Sequence, residues 1–111
     1  MPSCDAATKA VTRLSSAGVS ILAGTDAPAS GTTYGASLHW ELQHLVDAGM
    51  TPPAALATAT SSAARAFRMM DRGRIQTGMR ADLLLVEGDP TTDIRATRNL
   101  VRVWKKGVSR D

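Results

Sequence analysis

Cysteine, aromatic residues and long apolar runs are all scarce in this sequence, and each scarcity closes off a class of protein. A single cysteine, Cys4, in a chain of 111 residues excludes an internal disulfide and a thiol-based metal cluster. No apolar run approaches the roughly 20 residues a membrane span needs, and the first residues lack the charged-then-apolar order of a secretory leader. We therefore expect a cytoplasmic chain with no membrane partner. The aromatic residues are Trp40, Trp104, Tyr34 and Phe67 alone. The interior must rest on Ala, Leu and Val, with little bulk per residue, and the sequence predicts a thin core.

What is present is ordinary for a globular protein: 43% hydrophobic and 21% charged residues. Length allows one compact domain, but 111 residues fall well short of the roughly 250 that a complete (β/α)8 barrel needs. The net charge of +3 gathers late in the chain, at Arg95, Arg98, Arg102, Lys105, Lys106 and Arg110. These cations match no helix-turn-helix, zinc-finger or RNA-binding pattern, so they read as a solvated strand face, and no nucleic-acid partner is expected.

Asp5 is placed to cap a helix whose apolar positions Ala7, Ala10, Val11, Leu14 and Ala17 recur at helical spacing, with Gly18 as its stop. The nearly continuous apolar run Val19–Ala23 predicts a strand buried on both faces, the kind found in parallel sheets. Residues 25–35 form a Gly/Pro/Ser/Thr-rich loop, and Ser37 then begins a helix with Leu38, Leu42, Leu45 and Val46 inward, ending at Gly49. Thr51-Pro52 starts another helix, and Ser61 or Ser62 a short one toward Phe67. After Met70 glycine punctuates shorter segments, of which 81–86 and 100–104 read as strands, with Lys106-Gly107 as a tight turn. The change of texture places a boundary near 70, dividing a helical unit, 1–70, from a strand-rich unit, 71–111.

Asp26 is the most informative residue, because Gly24-Thr25-Asp26 sets a carboxylate directly after the predicted buried strand, where α/β folds gather catalytic side chains. Such a carboxylate needs a metal, an ion pair or hydrogen bonds, since an unpaired buried charge costs several kcal/mol. The plainer reading is an Asx-turn leading into Pro28. His39, Glu41 and His44 look like a metal cluster, but two zinc-binding histidines on one helical face need i, i+4 spacing. At spacing five, His44 points about 140° around the helix from His39. His39, just after the Gly-rich loop, either faces a substrate or hydrogen-bonds a loop carbonyl. Asp82, Glu87 and Asp89 flank a strand and a turn, where alternating exposure accounts for them. Gly31 and Gly35 lack the spacing and Lys-Ser/Thr ending of a phosphate loop.

Taken together, Ala23-Gly24-Thr25-Asp26, Leu38-His39-Trp40-Glu41-Leu42, Ala48-Gly49-Met50-Thr51-Pro52 and the helix 55–66 resemble the amidohydrolase superfamily, in its imidazolonepropionase-like and Xaa-Pro dipeptidase-like branch. The resemblance runs on through Asp71-Arg72-Gly73, Gly78-Met79-Arg80-Ala81-Asp82-Leu83 and Gly88-Asp89-Pro90 into Val103-Trp104-Lys105-Lys106-Gly107. It implies an α/β fold: the last βα segment of an incomplete (β/α)8 amidohydrolase barrel, followed by C-terminal strands of a composite β-sandwich. It also implies hydrolysis of a C–N bond in a cyclic amide, ureide or dipeptide. A divalent metal, zinc in most such enzymes, would lower the pKa of bound water. Asp26 would ligate the metal and carry the water's proton to the leaving amine. His39 matches a recurrent histidine of the branch, with a positional or substrate-facing role, and Asp82 reads as structural. The other metal ligands and seven barrel strands would have to come from residues preceding Met1.

Three functions stay open on this reading: part of a hydrolase completed by missing segments, a non-enzymatic remnant or interaction module, and a basic adaptor using the last strands. The exposed edges and apolar faces expected of Val19–Ala23 further predict a partner chain or homo-oligomer covering the open barrel edge.

Overall fold

The computed structural model describes residues 5–24 and 36–110. Four helices lead the chain, α1 (Asp5–Ser16), α2 (Ala36–Asp47), α3 (Pro52–Ala59) and α4 (Ser61–Ala66). Three strands follow, β1 (Leu83–Val86), β2 (Leu100–Lys105) and β3 (Val108–Arg110), with a 3-10 helix, Ile94–Arg98, between β1 and β2.

The helices start and stop where local chemistry directs. Thr51 sits in extended backbone and its hydroxyl accepts the Ala54 N–H at 3.2 Å, capping α3, while Pro52 fills the first helical position, where no N–H is needed. α1 docks onto the end of α2 through Thr12, whose hydroxyl donates to the Ala48 carbonyl at 2.6 Å and so satisfies one of the carbonyls a helix terminus leaves open. α2 begins at Ala36, one residue ahead of the predicted cap Ser37, and turns Leu42 and Leu45 inward; Leu38, expected beside them, is exposed. The two leucines meet Ala55 of α3 and Ile94 of the 3-10 helix in a core of four buried residues, with Val11, Ile21, Val46, Met50 and Leu56 packed around it. Ile94 therefore brings the strand-rich half of the chain into the same core as the helices. Among the described residues no large side chain is fully buried, in keeping with the scarcity of aromatics.

The run Val19–Ala23 is not a strand. A strand exists through its ladder of neighbours, and the described residues offer this segment no ladder: the Val19 N–H donates back to the Leu14 carbonyl of α1 at 3.0 Å and the Ala23 N–H to the Thr58 carbonyl of α3 at 3.2 Å. Nor is it buried on both faces: Ile21 and Ala23 pack inward, while Val19 is 49% and Leu22 36% exposed.

The sheet is antiparallel in the order β1-β2-β3. Leu83 faces Trp104 and Leu85 faces Arg102 before a bulge shifts the register at Leu85/Val86. β2 and β3 are joined through Lys106-Gly107, both at positive φ (52° and 80°), the geometry whose twist suits a two-residue hairpin. Asp82 and Ala81 hold that turn from the side. The Asp82 carboxylate accepts the Lys106 N–H at 3.0 Å, and the Ala81 carbonyl accepts the Gly107 N–H at 2.9 Å. Gly73 lies tight against α4, where a Cβ would come within 2.6 Å of Ala64 Cβ and 2.9 Å of the Thr60 carbonyl oxygen.

Candidate functional site

Asp26, the residue to which the sequence assigns chemistry first, lies outside the described residues. The segments on either side of it are placed: Ala23 is tied to α3 through the Thr58 carbonyl, and α2 starts at Ala36.

The half-buried His39, in the first turns of α2, sets its Nδ1 3.0 Å from Thr97 Oγ1 in the 3-10 helix. Nδ1 thus meets a hydroxyl from the far half of the chain, while the loop whose carbonyls the sequence also offered to His39 lies outside the described residues. Thr97 is 7% exposed, and its hydroxyl also lies 3.1 Å from the Ile94 carbonyl.

Arg98, which the sequence placed only among the basic residues of a solvated face, is the neighbour that was missed. Its guanidinium carbon lies 3.9 Å from the centroid of Trp40, one of its Nη groups donates to the Gln43 side-chain oxygen, and its Nε is buried with no partner among the described residues. Two consecutive residues, Thr97 and Arg98, thereby grip three positions of α2. The signal in the sequence is faint: an arginine ending a short helix beyond an Asp cap, with its partners more than fifty residues away.

The acidic residues are held by local bonds. Asp82 is drawn below the usual carboxylate range, first by the Lys106 N–H and then by the Arg80 guanidinium, whose Nε lies 2.8 Å from its carboxylate. Asp89 accepts the hydroxyl and the N–H of Thr91, and its carboxyl is lowered by both. Asp93 pairs with the Arg95 guanidinium, which draws its carboxyl down first, and caps the 3-10 helix by accepting the Arg95 N–H at 3.0 Å, which lowers it further. His44 is exposed on α2, apart from this set. Among the described residues, no three of His, Cys, Asp or Glu converge to hold a metal ion.

Residues 5–109 match the amidohydrolase family. The chain belongs to that family. Its likeness is to the C-terminal portion of the superfamily. Imidazolonepropionase of Deinococcus deserti is 36% identical over 100 residues, covering 86% of this chain and 25% of that protein. A solved Xaa-Pro dipeptidase with methionine bound in its active site superposes with a TM-score of 0.84 at 31% identity, over 94% of this chain and 25% of its own. Phenylurea hydrolase B gives a TM-score of 0.83 at 31% identity, over 91% and 26%. This amidohydrolase chain thus spans about a quarter of the length of the relatives it matches. Among its described residues, no helix is long and apolar enough to cross a membrane.

Proposed function

We propose that this chain is the Asp26-bearing part of a metal-dependent hydrolase that cleaves a C–N bond in a small cyclic amide, ureide or dipeptide. The support is the joint likeness to an imidazolonepropionase, a Xaa-Pro dipeptidase and a phenylurea hydrolase, names that share a nitrogen bonded to a carbonyl carbon. Residues 1–70 supply the flanking helices and the segment Val19–Ala23, which would become the last barrel strand once the missing segments give it neighbours to pair with, and 71–111 the C-terminal strands of a composite sandwich.

Asp26 carries a proton between the attacking water and the leaving amine. His39, its Nδ1 engaged by Thr97, offers Nε2 to the substrate side. A divalent metal, zinc by family, needs ligands beyond the described residues, from upstream polypeptide or a partner chain; bound, it would acidify the water. The same partner, or a second copy, covers the open edge beside Val19 and Leu22. The setting is cytoplasmic.

Elemental analysis of the dialysed chain, alone and completed by upstream polypeptide, beside Asp26→Asn prepared identically tests this reading, with Asp26 as one of the metal's ligands. Near-stoichiometric zinc that is lost in the variant, with hydrolysis of an amide or dipeptide once upstream polypeptide is added, supports it. Equal zinc in both proteins and no activity after completion overturn it. A non-enzymatic remnant or interaction module is the second reading, and zinc binding and hydrolysis that are the same with and without Asp26 would favour it.

A further inference from the structure

We propose that Thr97 is a positioning residue that fixes His39 as its Nδ1–H tautomer, leaving Nε2 as a lone-pair acceptor whenever the ring is neutral. One hydrogen on Thr97 serves two short contacts. Thr97 Oγ1 lies 3.1 Å from the Ile94 carbonyl oxygen and 3.0 Å from His39 Nδ1. A hydroxyl has a single hydrogen and two lone pairs. A carbonyl oxygen can only accept, so the Thr97–Ile94 contact becomes a hydrogen bond only with the Thr97 hydrogen in it, and we assign the hydrogen there. The His39 contact then needs its hydrogen from Nδ1, and Thr97 accepts it. The neutral imidazole has one N–H, which is now placed, so Nε2 is unprotonated.

Burial makes the choice binding. Thr97 is 7% exposed, and Ile94, which supplies the carbonyl, belongs to the core. Arg98, the next residue, holds Trp40 and Gln43 on the same helix, so the ring has little freedom to turn away from the hydroxyl. A neutral His39 locked in this way accepts an N–H or O–H at Nε2 and repels a carbonyl oxygen. On the hydrolase reading above, on which this last step rests, it selects the donor side of an amide or ureide.

The test is the ring-nitrogen spectrum of the 15N-labelled chain, read by long-range 1H–15N correlation at a pH where His39 is neutral. The chain has 2 histidines, and His44→Gln removes the other set of signals. The expected pattern is a pyrrole-type Nδ1 and a pyridine-type Nε2, retained in Thr97→Ser and replaced in Thr97→Val by mainly Nε2–H or a mixture. An Nε2–H ring in the unsubstituted chain overturns the proposal, as does a Thr97→Val spectrum identical to it. Should Thr97→Val fail to fold, the unsubstituted chain and Thr97→Ser decide alone. The readout needs neither metal nor turnover, so an inactive chain with a locked tautomer would count against the hydrolase reading only.

Discussion

Arg98 holds its guanidinium carbon 3.9 Å from the centre of the Trp40 ring, joining the last turn of the 3-10 helix to the first half of α2. The same guanidinium leaves its Nε buried with no partner among the described residues, so attraction and desolvation oppose each other in one side chain. Cation–π contacts contribute about 0.5–1 kcal/mol near solvent, and a buried unsatisfied donor costs about 1–3 kcal/mol. Arg98→Ala, which also loses the packing of the aliphatic stem, should destabilise by about 1–2 kcal/mol. Arg98→Met keeps the stem and removes the orphaned donor, so it should cost less. Urea denaturation followed by Trp40 emission checks the order, and Met losing as much as Ala would show that the charge itself carries the contact.

Gly73→Ala should be among the most damaging conservative substitutions. Its φ of 98° is one that side chains rarely adopt, and the new Cβ would meet Ala64 Cβ at 2.6 Å and the Thr60 carbonyl at 2.9 Å. Backbone strain and overpacking together should reach about 2–4 kcal/mol. Adding Ala64→Gly removes one of the two clashes, so the double variant should recover part of the loss in a thermal melt. Full recovery would place the whole cost in the side-chain clash and none in the backbone.

Asp82 predicts an acid-sensitive hairpin. Its carboxyl is lowered from the ordinary value of 3.8, chiefly by the Lys106 N–H and next by Arg80. A carboxylate with a depressed folded value stabilises the fold above its unfolded value and loses that contribution as pH falls below 3.8 through the folded value. Carboxyl-detected NMR should show Asp82 titrating below an unstructured aspartate, with the Lys106 amide shifting in step. Asp82→Asn should flatten that part of the stability profile, and an unchanged acid limb would remove Asp82 from it.

Much of the fold was legible where a single local rule decides the backbone. Thr51-Pro52 names a helix start by a hydroxyl cap and a missing N–H, and Lys106-Gly107 names a hairpin turn by tolerance of positive φ. Features that depend on partners were not legible. Val19–Ala23 has the composition of a buried strand, but pairing requires neighbours the described residues do not contain. The 3-10 helix was missed because it runs only from Ile94 to Arg98, too short for periodicity, and its Asp93 cap resembles any Asp in a turn. His39 was singled out from its place after the loop, but its Thr97 partner could not be, since nothing in sequence joins positions so far apart. Asp26 itself lies outside the described residues.

The thin core yields the last prediction. Leu45 is 5% exposed and one of four buried residues that form the central cluster, whereas Leu14 on α1 is 46% exposed. Truncating a buried leucine to alanine removes its transfer energy and leaves a cavity, costing about 2–5 kcal/mol, while an exposed leucine contributes little. A domain of this size with so few buried apolar side chains has little stability to spare. Leu45→Ala should therefore abolish the cooperative urea transition, while Leu14→Ala shifts its midpoint only slightly. If α1 instead packs against a second copy in solution, Leu14→Ala should also weaken association by sedimentation at high protein concentration, with the monomer's urea midpoint unchanged. A large loss of monomer stability from Leu14→Ala would mean that α1's outer face is covered within the chain itself.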